Sequence, residues 1–395
     1  MSSNKRFHDK NLKDKTNKEI INSIQAVCVQ IIDDLEVAKK PAIYSIKESS
    51  DNAIYDSKLG YLIPGDKKNK VELGVSSIKK MTRMLVVAEM LIENVKSGMV
   101  NSKREIYYRI KSLTKGDDRL KALTFESQEE CDEVIDELCG LINKMREDFN
   151  VFANERSGLT YSNNLIVEET LSDGKIAKID LSQMGTVPFI PKNRPQDLKL
   201  SVKKGKKLDY CLVIESEGTL STLHANGILQ RNDIIIVSTG GQASMATRGW
   251  LKKIQDQLRI PLYAFLDLDA WSVAGIFRAA KSSAFNSLIR SPEFCATELK
   301  LLGVLPSDIK KYNLDYYKVN EKDSSEYRAI KRAEDALKND PFFADKKNKK
   351  YKEVLEWLIS NKIRCEQQAL FGVDPKDPLI TEKILVEKIR KGDYI

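Results

Sequence analysis

Residues 209–229 read DYCLVIESEGTLSTLHANGIL, and their interpretation decides that of the whole chain. The run CLVI is apolar without polar alternation, closes on Glu215, and passes through Gly218 into a helical pattern. The same alternation then repeats. DIIIVST (233–239) reads as a strand, ASMATRGWLKKIQDQL (243–258) as a helix and PLYAFLDLD (261–269) as a third strand. Unalternating apolar strands separated by helices predict a parallel α/β sheet with both faces covered.

Acidic residues stand where these strands end. Glu215 closes the first strand, and Asp267 and Asp269 close the third. Open parallel sheets bind ligands outside the carboxyl ends of their strands. Three carboxylates converging there form a set of hard oxygen donors suited to Mg²⁺. Two other readings fit the same residues. Asp269 can simply cap the next helix while Glu215 is solvated, or the fold can be a receiver-type phosphoacceptor domain. Receivers carry their acids after the first strand and one phosphorylatable Asp after the third, so a D-x-D in the third position suits a metal better.

Upstream, the Pro- and Lys-rich segment VPFIPKNRPQDLKLSVKKGKK (187–207) marks a domain boundary. Residues 1–16 are polar and expected to be disordered. Ile20, Ile24, Val27, Ile31 and Leu35 recur at helical spacing, and that helix ends before Pro41. AIYDSKLGYLIPGDKKNK (53–70) predicts a hairpin. SSIKKMTRMLVVAEMLIENVKSG (76–98) predicts a long helix capped by Gly98. NSKREIYYRIKSL (101–113) follows, with Asn101 or Ser102 as N-cap and Glu105 in the first turn. A further helix runs through EECDEVIDELCGLINKMREDF (129–149). LTYSNNLIVEETLSDGKIAKIDLS (159–182) reads as strands with a tight turn at 172–174. Three helices and then a strand pair is the order of a winged-helix module, which docks on DNA; any small helical domain shares the pattern. Tyr107 and Tyr108 are accordingly either packing aromatics or one packing residue beside a nucleophile.

Composition narrows the chemistry. The 395 residues are 42% hydrophobic and 31% charged, with a formal net charge of +8, compatible with nucleic-acid binding. No apolar run approaches the roughly 20 residues of a membrane span, and the first residues have no apolar signal core. The expected location is the cytosol, or the nucleus in a eukaryote, with no membrane partner. Six cysteines without a C-x-x-C pair read as reduced, buried thiols. With only two histidines, catalysis has to rest on carboxylates, lysine, arginine, serine or tyrosine.

Glutamate on the first strand with D-x-D on the third resembles the signature of the Toprim fold. From about residue 17 to its end the chain resembles the A subunit of DNA topoisomerase VI, a family related to the meiotic double-strand-break proteins. The resemblance rests on GDKKNKVELGVSSIKKMTRMLVVAEML, KREIYYRIK, IDLSQMG, VIESEGTLSTL, GGQASMATRGWLKKI, FLDLDAWS, LKLLGVLPSDIKKYNL, DPFF and IRCEQQAL, in that order. It implies an α+β multidomain fold. Residues 1–70 would hold the tail, amphipathic helix and hairpin, 71–190 a winged-helix (CAP-like) domain, and 208–395 a Toprim domain with a C-terminal elaboration. In the family's R-[DE]-x-[YF]-Y motif the second tyrosine is the nucleophile, which is Tyr108 here. Arg104, four residues earlier and on the same helical face, would hold the scissile phosphate or favour the phenolate. Lys103 and Arg109 would follow the DNA backbone or lie solvated.

Glu215, Asp267 and Asp269 would bind Mg²⁺, although this chain has Ala270, Trp271 and Ser272 where the family has a D-x-D-P-x-G turn, and Ala243 for a proline. The resemblance further implies double-stranded DNA as substrate, a 5′-phosphotyrosyl intermediate, and a homodimer. It also implies a separate GHKL-type ATPase B subunit completing a heterotetramer, docked through the N-terminal helix; no P-loop occurs in this chain. Two alternatives are a break-forming relative without strand passage and a non-catalytic DNA-binding scaffold.

Overall fold

The computed structural model describes the chain except residues 1, 38, 75–76, 116–119, 121–122, 153–157, 172–174, 191–197 and 321–323, with backbone only for 2–16 and 71. The turn expected at 172–174 lies outside the described residues. The chain divides into two compact units, Met1–Lys47 with Asp66–Asn154, and Glu48–Gly65 with Glu155–Ile395. Among the described residues no helix is long and apolar enough to cross a membrane.

The first unit is mainly helical. Helix α1 (Ser2–Glu36) begins well before the apolar stripe, through the lead expected to be disordered. No Gly or Pro interrupts residues 2–36, and that uninterrupted run of ordinary residues lets the helix propagate. Ile20, Ile24 and Ile31 are buried in this unit's own core with Val27 beside them, while Leu35 is exposed. Most of the stripe expected to receive a partner is therefore occupied within the unit.

Strands β1 (Ala42–Ile46), β2 (Ala53–Asp56), β3 (Tyr61–Pro64) and β4 (Lys68–Glu72) follow. β1 pairs antiparallel with β4 in the first unit, whereas β2 pairs with β3 as the predicted hairpin and belongs to the second. The hairpin turn is set locally. Asp56 accepts the N–H groups of Lys58 and Leu59, and Gly60 supplies the left-handed φ of 82°.

Helix α2 (Ile78–Ser97) buries Met81, Met84, Val87, Ala88, Leu91 and Val95, a stripe at three- and four-residue spacing, and stops at Gly98 with φ 69°. Helix α3 (Lys103–Leu113) starts with a capping box between Ser102 and Glu105. Helix α4 (Gln128–Leu141) is shorter than expected, since Asn143 takes a left-handed φ of 52°.

In the second unit, β5 (Thr160–Ser162), β6 (Leu165–Thr170), β7 (Ile176–Asp180), β8 (Lys199–Val202), β9 (Tyr210–Ile214), β10 (Ile234–Ser238), β11 (Leu262–Phe265) and β12 (Leu299–Gly303) build two sheets. The larger has the order β12-β11-β9-β10-β5, with the first four strands parallel and β5 antiparallel at the edge. Cys211–Ile214, all of β10 and all of β11 are buried, as strands covered on both faces must be. Helix α5 (Glu217–Ala225) follows β9, and helix Met245–Leu258 follows β10. The fully buried Trp250 on that second helix donates its indole N–H to Thr160 on β5 at 2.9 Å. The smaller sheet is antiparallel, β7-β6-β8.

This division departs from the expected domain limits of 70, 190 and 208. The strands of 159–182, read as a wing following the helices, lie in the second unit, where β5 completes the parallel sheet. The ribbon accompanying α2–α4 is the β1–β4 pair, which precedes them. Strand propensity is local, but which sheet a strand joins depends on partners far away in sequence.

One buried ion pair braces the C-terminal elaboration. Lys388 Nζ lies 2.5 and 2.7 Å from the two carboxylate oxygens of Asp308, both side chains being 1% exposed, and Asp308 also accepts the Leu305 N–H. Breaking such a pair leaves an uncompensated buried charge. Lys388→Met is expected to lower stability by about 3–5 kcal/mol. The double replacement Lys388→Met/Asp308→Asn, which keeps the acceptor for Leu305, should recover a large part of that loss in urea denaturation.

Candidate active site

The parallel register brings the predicted acids together. Ile214, the last residue of β9, sits opposite Phe265, the last of β11, so Glu215 and Asp267 leave neighbouring strands at the same end. Glu215 Oε2 accepts the Asp267 N–H at 3.1 Å and the Ser272 hydroxyl at 2.8 Å. Asp269 accepts the Ser272 N–H at 2.7 Å, the helix-capping role that the plainer reading assigned it. One serine thus ties two of the three acids, at the head of a π-helical turn, Ser272–Phe277.

A segment far downstream completes the cluster. Leu268, the middle residue of the D-x-D, forms an antiparallel bridge with Cys365. Its N–H donates to the Cys365 carbonyl at 2.9 Å, and its own carbonyl accepts the Cys365 N–H at 3.2 Å. The bridge sets the Gln367 N–H on Asp267 Oδ1 at 2.9 Å. It also places Arg364 among four carboxylates: Asp267 at 3.5 Å, Asp269 at 3.7 Å, Glu326 at 3.3 Å and Glu366 at 3.2 Å. A cavity of about 340 Å³ opens beside it, lined by Glu215, Asp269, Trp271, Glu326, Arg332 and Arg364. Trp271 is 39% exposed, and its ring lies 3.1–3.4 Å from where a Gly275 Cβ would stand, so no side chain fits at 275 without moving it.

Electrostatically the cluster is short of positive charge. Burial, then the charges of Asp267 and Asp269, push the Glu215 carboxyl up to about 7. Burial also raises Asp267, opposed by the Gln367 N–H and reinforced by the Asp269 charge. For Arg364, burial works against the charged form, but Asp269, Asp267 and Glu366 outweigh it and hold the guanidinium above its ordinary range. Carboxylate oxygens crowded until one resists ionisation fit a hard divalent cation in donor chemistry. Among the described residues, no three acidic, histidine or cysteine side chains are already drawn into a coordination shell. Part of the neutralisation comes instead from Arg364.

The tyrosine pair lies on α3 in the first unit. Adjacent residues on a helix point about 100° apart, so one ring turns inward and its neighbour outward. Tyr107 is 8% exposed, with its hydroxyl accepting from Lys111 at 3.3 Å; Tyr108 is 53% exposed. The Arg104 guanidinium lies 5.8 Å from the centre of the Tyr108 ring, as the i, i+4 spacing predicts. An open groove lined by Asn101, Ser102, Arg104, Tyr108, Arg109 and Ser112 runs past this face of the helix. Lys103, expected to follow DNA or lie in solvent, is instead bound to Asp136 at 2.7 Å and only 14% exposed. Arg109 points at Asn101 Oδ1, 3.4 Å away.

Sequence reasoning located the acids, Arg104 and both tyrosines. It assigned nothing to Ser272, Glu326, Arg364, Glu366 or Gln367. The available signal was the IRCEQQAL segment, which bore on family but whose approach to the D-x-D depends on a long-range bridge.

Comparison with known proteins bears on the whole chain. Residues 210–389 match the model of the Toprim domain of the topoisomerase 6 A subunit and Spo11, and residues 79–151 match that described as type IIB DNA topoisomerase. The chain is similar to the A subunit of type 2 DNA topoisomerase 6 from Methanocaldococcus jannaschii, 27% identical over 91% of this chain and 92% of the relative. It is likewise similar to the proteins of that name from Pyrococcus abyssi, 25% identical over 96% of both chains, and Natronomonas pharaonis, 27% identical over 86% of this chain and 87% of the relative.

The raised Glu215 has a consequence for stability. The folded chain keeps a proton that the unfolded chain releases between the ordinary value of 4.5 and about 7. Stability from this group is therefore full below that window and lost as pH rises through it. In metal-free buffer the melting temperature should fall over that range, and Glu215→Gln should flatten the fall. Thermal melts at a series of pH values measure both slopes.

Proposed function

We infer a mechanism from the premise that this chain belongs to the family of the topoisomerase 6 A subunit and Spo11, whose Toprim and type IIB topoisomerase domains it carries. It is the DNA-cleaving and rejoining subunit of a type IIB DNA topoisomerase, with the ATPase on a separate polypeptide. The observation that carries the residue assignment is the contrast on α3: Tyr108 stands exposed beside Arg104 in an open groove while Tyr107 is packed.

The Tyr108 oxygen attacks a DNA phosphorus, its phenolic proton leaving to solvent. The bond from phosphorus to the 3′ oxygen breaks, that oxygen takes up a proton, and the 5′ phosphate remains on the tyrosine. A phosphoester is exchanged for a phosphoester, so resealing needs no external energy. A free phenol has a pKa near about 10 and attacks poorly at neutral pH. Arg104 answers this by pairing with the phosphate and by favouring the phenolate. Glu215, Asp267 and Asp269 are the residues that would hold a divalent ion, Mg²⁺ by donor hardness, whose bound charge would stabilise the phosphoryl oxygens. Ser272 orients Glu215 and Asp269, and the Gln367 N–H orients Asp267.

Helices α2–α4 with the ribbon of β1 and β4 form the DNA-docking module in this reading, a winged-helix relative with its ribbon ahead of the helices. Cutting both strands takes two tyrosines, hence a homodimer in which Tyr108 of one protomer serves the acid cluster of the other. A GHKL-type ATPase partner drives strand passage on double-stranded DNA.

Phenylalanine at 108 removes only the attacking oxygen. Tyr108→Phe should lose all SDS-trapped covalent adduct with end-labelled DNA, while DNA affinity stays within about twofold because phosphate contacts supply most of it. Tyr107→Phe should retain the adduct. Asp267→Ala should lose metal-dependent cleavage with little change in melting temperature. Label retained by Tyr108→Phe and lost by Tyr107→Phe would reverse the assignment.

A further inference from the structure

Arg364 occupies an unusual position for a cation. Its Cα is held by the Leu268–Cys365 bridge beside it and by the pairing of Arg364 with Tyr317, so the backbone cannot carry it away from the D-x-D. Its guanidinium lies between two pairs of acids. The inner pair, Asp267 and Asp269, belongs to the proposed metal cluster; the outer pair, Glu326 and Glu366, does not. The inner contacts are the looser ones, 3.5 and 3.7 Å against 3.3 and 3.2 Å, and Arg364 Nε makes no hydrogen bond although it is buried. The guanidinium donates one hydrogen bond to each side, to Glu326 at 3.3 Å and to Asp267 at 3.5 Å, and its shorter contacts are all to the outer pair, so a small shift outward strengthens bonds it already makes.

We propose that Arg364 is an internal counter-cation that competes with the divalent ion: it partly neutralises Asp267 and Asp269 when they are metal-free and withdraws onto Glu326 and Glu366 when metal enters. This deepens the proposed function and rests on its metal-site reading. The physical basis is like-charge exclusion. A guanidinium and a divalent ion sharing two carboxylates repel strongly at such separations, and the site is too sheltered for water to screen them fully. The outer acids make the withdrawal feasible, since the side chain already touches both and is one-third exposed. Metal affinity is then set by residues outside the ligand shell, with opposite signs. Removing Arg364 tightens binding by removing the competitor. Removing an outer acid weakens binding, because the guanidinium loses its alternative partner and stays on the inner pair.

The test is calorimetric titration of Mn²⁺ into EDTA-stripped full-length chain, a readout independent of DNA cleavage. Asp267→Ala/Asp269→Ala must lose binding; if it binds as wild type does, the metal-site reading itself fails. Given that loss, Arg364→Gln should bind Mn²⁺ roughly tenfold more tightly than wild type, and Glu326→Gln about threefold more weakly. In the Arg364→Gln background the Glu326→Gln change should have no effect. Affinity unchanged or weakened in Arg364→Gln overturns the competition while leaving the metal site standing. A Glu326→Gln effect that persists without Arg364 also overturns it, making Glu326 a ligand. Should Arg364→Gln fail to fold, Glu366→Gln carries the test: this acid lies outside the cavity lining, and unweakened Mn²⁺ binding there refutes the withdrawal. Absence of Mn²⁺ binding in both wild type and Arg364→Gln sinks both readings.

Discussion

Two backbone hydrogen bonds between Leu268 and Cys365 hold the proposed chemistry of the second unit together. They join the turn after β11 to a segment almost a hundred residues downstream. Without them Asp267 would lose the Gln367 N–H that orients it, and Arg364 would have no fixed approach to the acids. Backbone pairing suits this task because its geometry is rigid and indifferent to side-chain type. The carboxylates are then free to be crowded beyond what loops alone would tolerate.

That crowding is the central electrostatic feature of the site. A carboxyl pushed up to about 7 at a strand end contributes nothing to packing and weakens the fold at neutral pH. Structures retain such strain where a ligand relieves it, and perturbed acids in a cavity are a functional signal on that ground. The cluster is nonetheless not left bare. Ser272, the Asp267 N–H and Arg364 each meet part of the demand; the first is placed by the turn after the D-x-D, the second by the β9–β11 register and the third by the downstream bridge.

The tyrosine site follows another principle. Helical geometry alone separates Tyr107 from Tyr108, one into the core with Ile106 and Ile110, the other into an open groove with Arg104. A capping box at Ser102 and Glu105 fixes where the helix begins, and so the rotation of both rings.

The sequence by itself determined the parallel α/β sheet, the acids at its strand ends, the β2–β3 hairpin, the Gly98 stop and the start of α3. Each is written in periodicity, capping or turn chemistry within a few residues, where local physics dominates. Tertiary structure alone decided the rest. Whether β5 serves the helices or the parallel sheet, whether the stripe on α1 faces its own core, and whether Lys103 is free or paired to Asp136 all turn on partners distant in the chain. The same holds for Arg364. As a sequence symbol it is one basic residue among 65, and its role arises only when an antiparallel bridge sets it between four carboxylates. Long-range pairing obeys the fold's global energy and leaves no period in the local sequence from which it can be read.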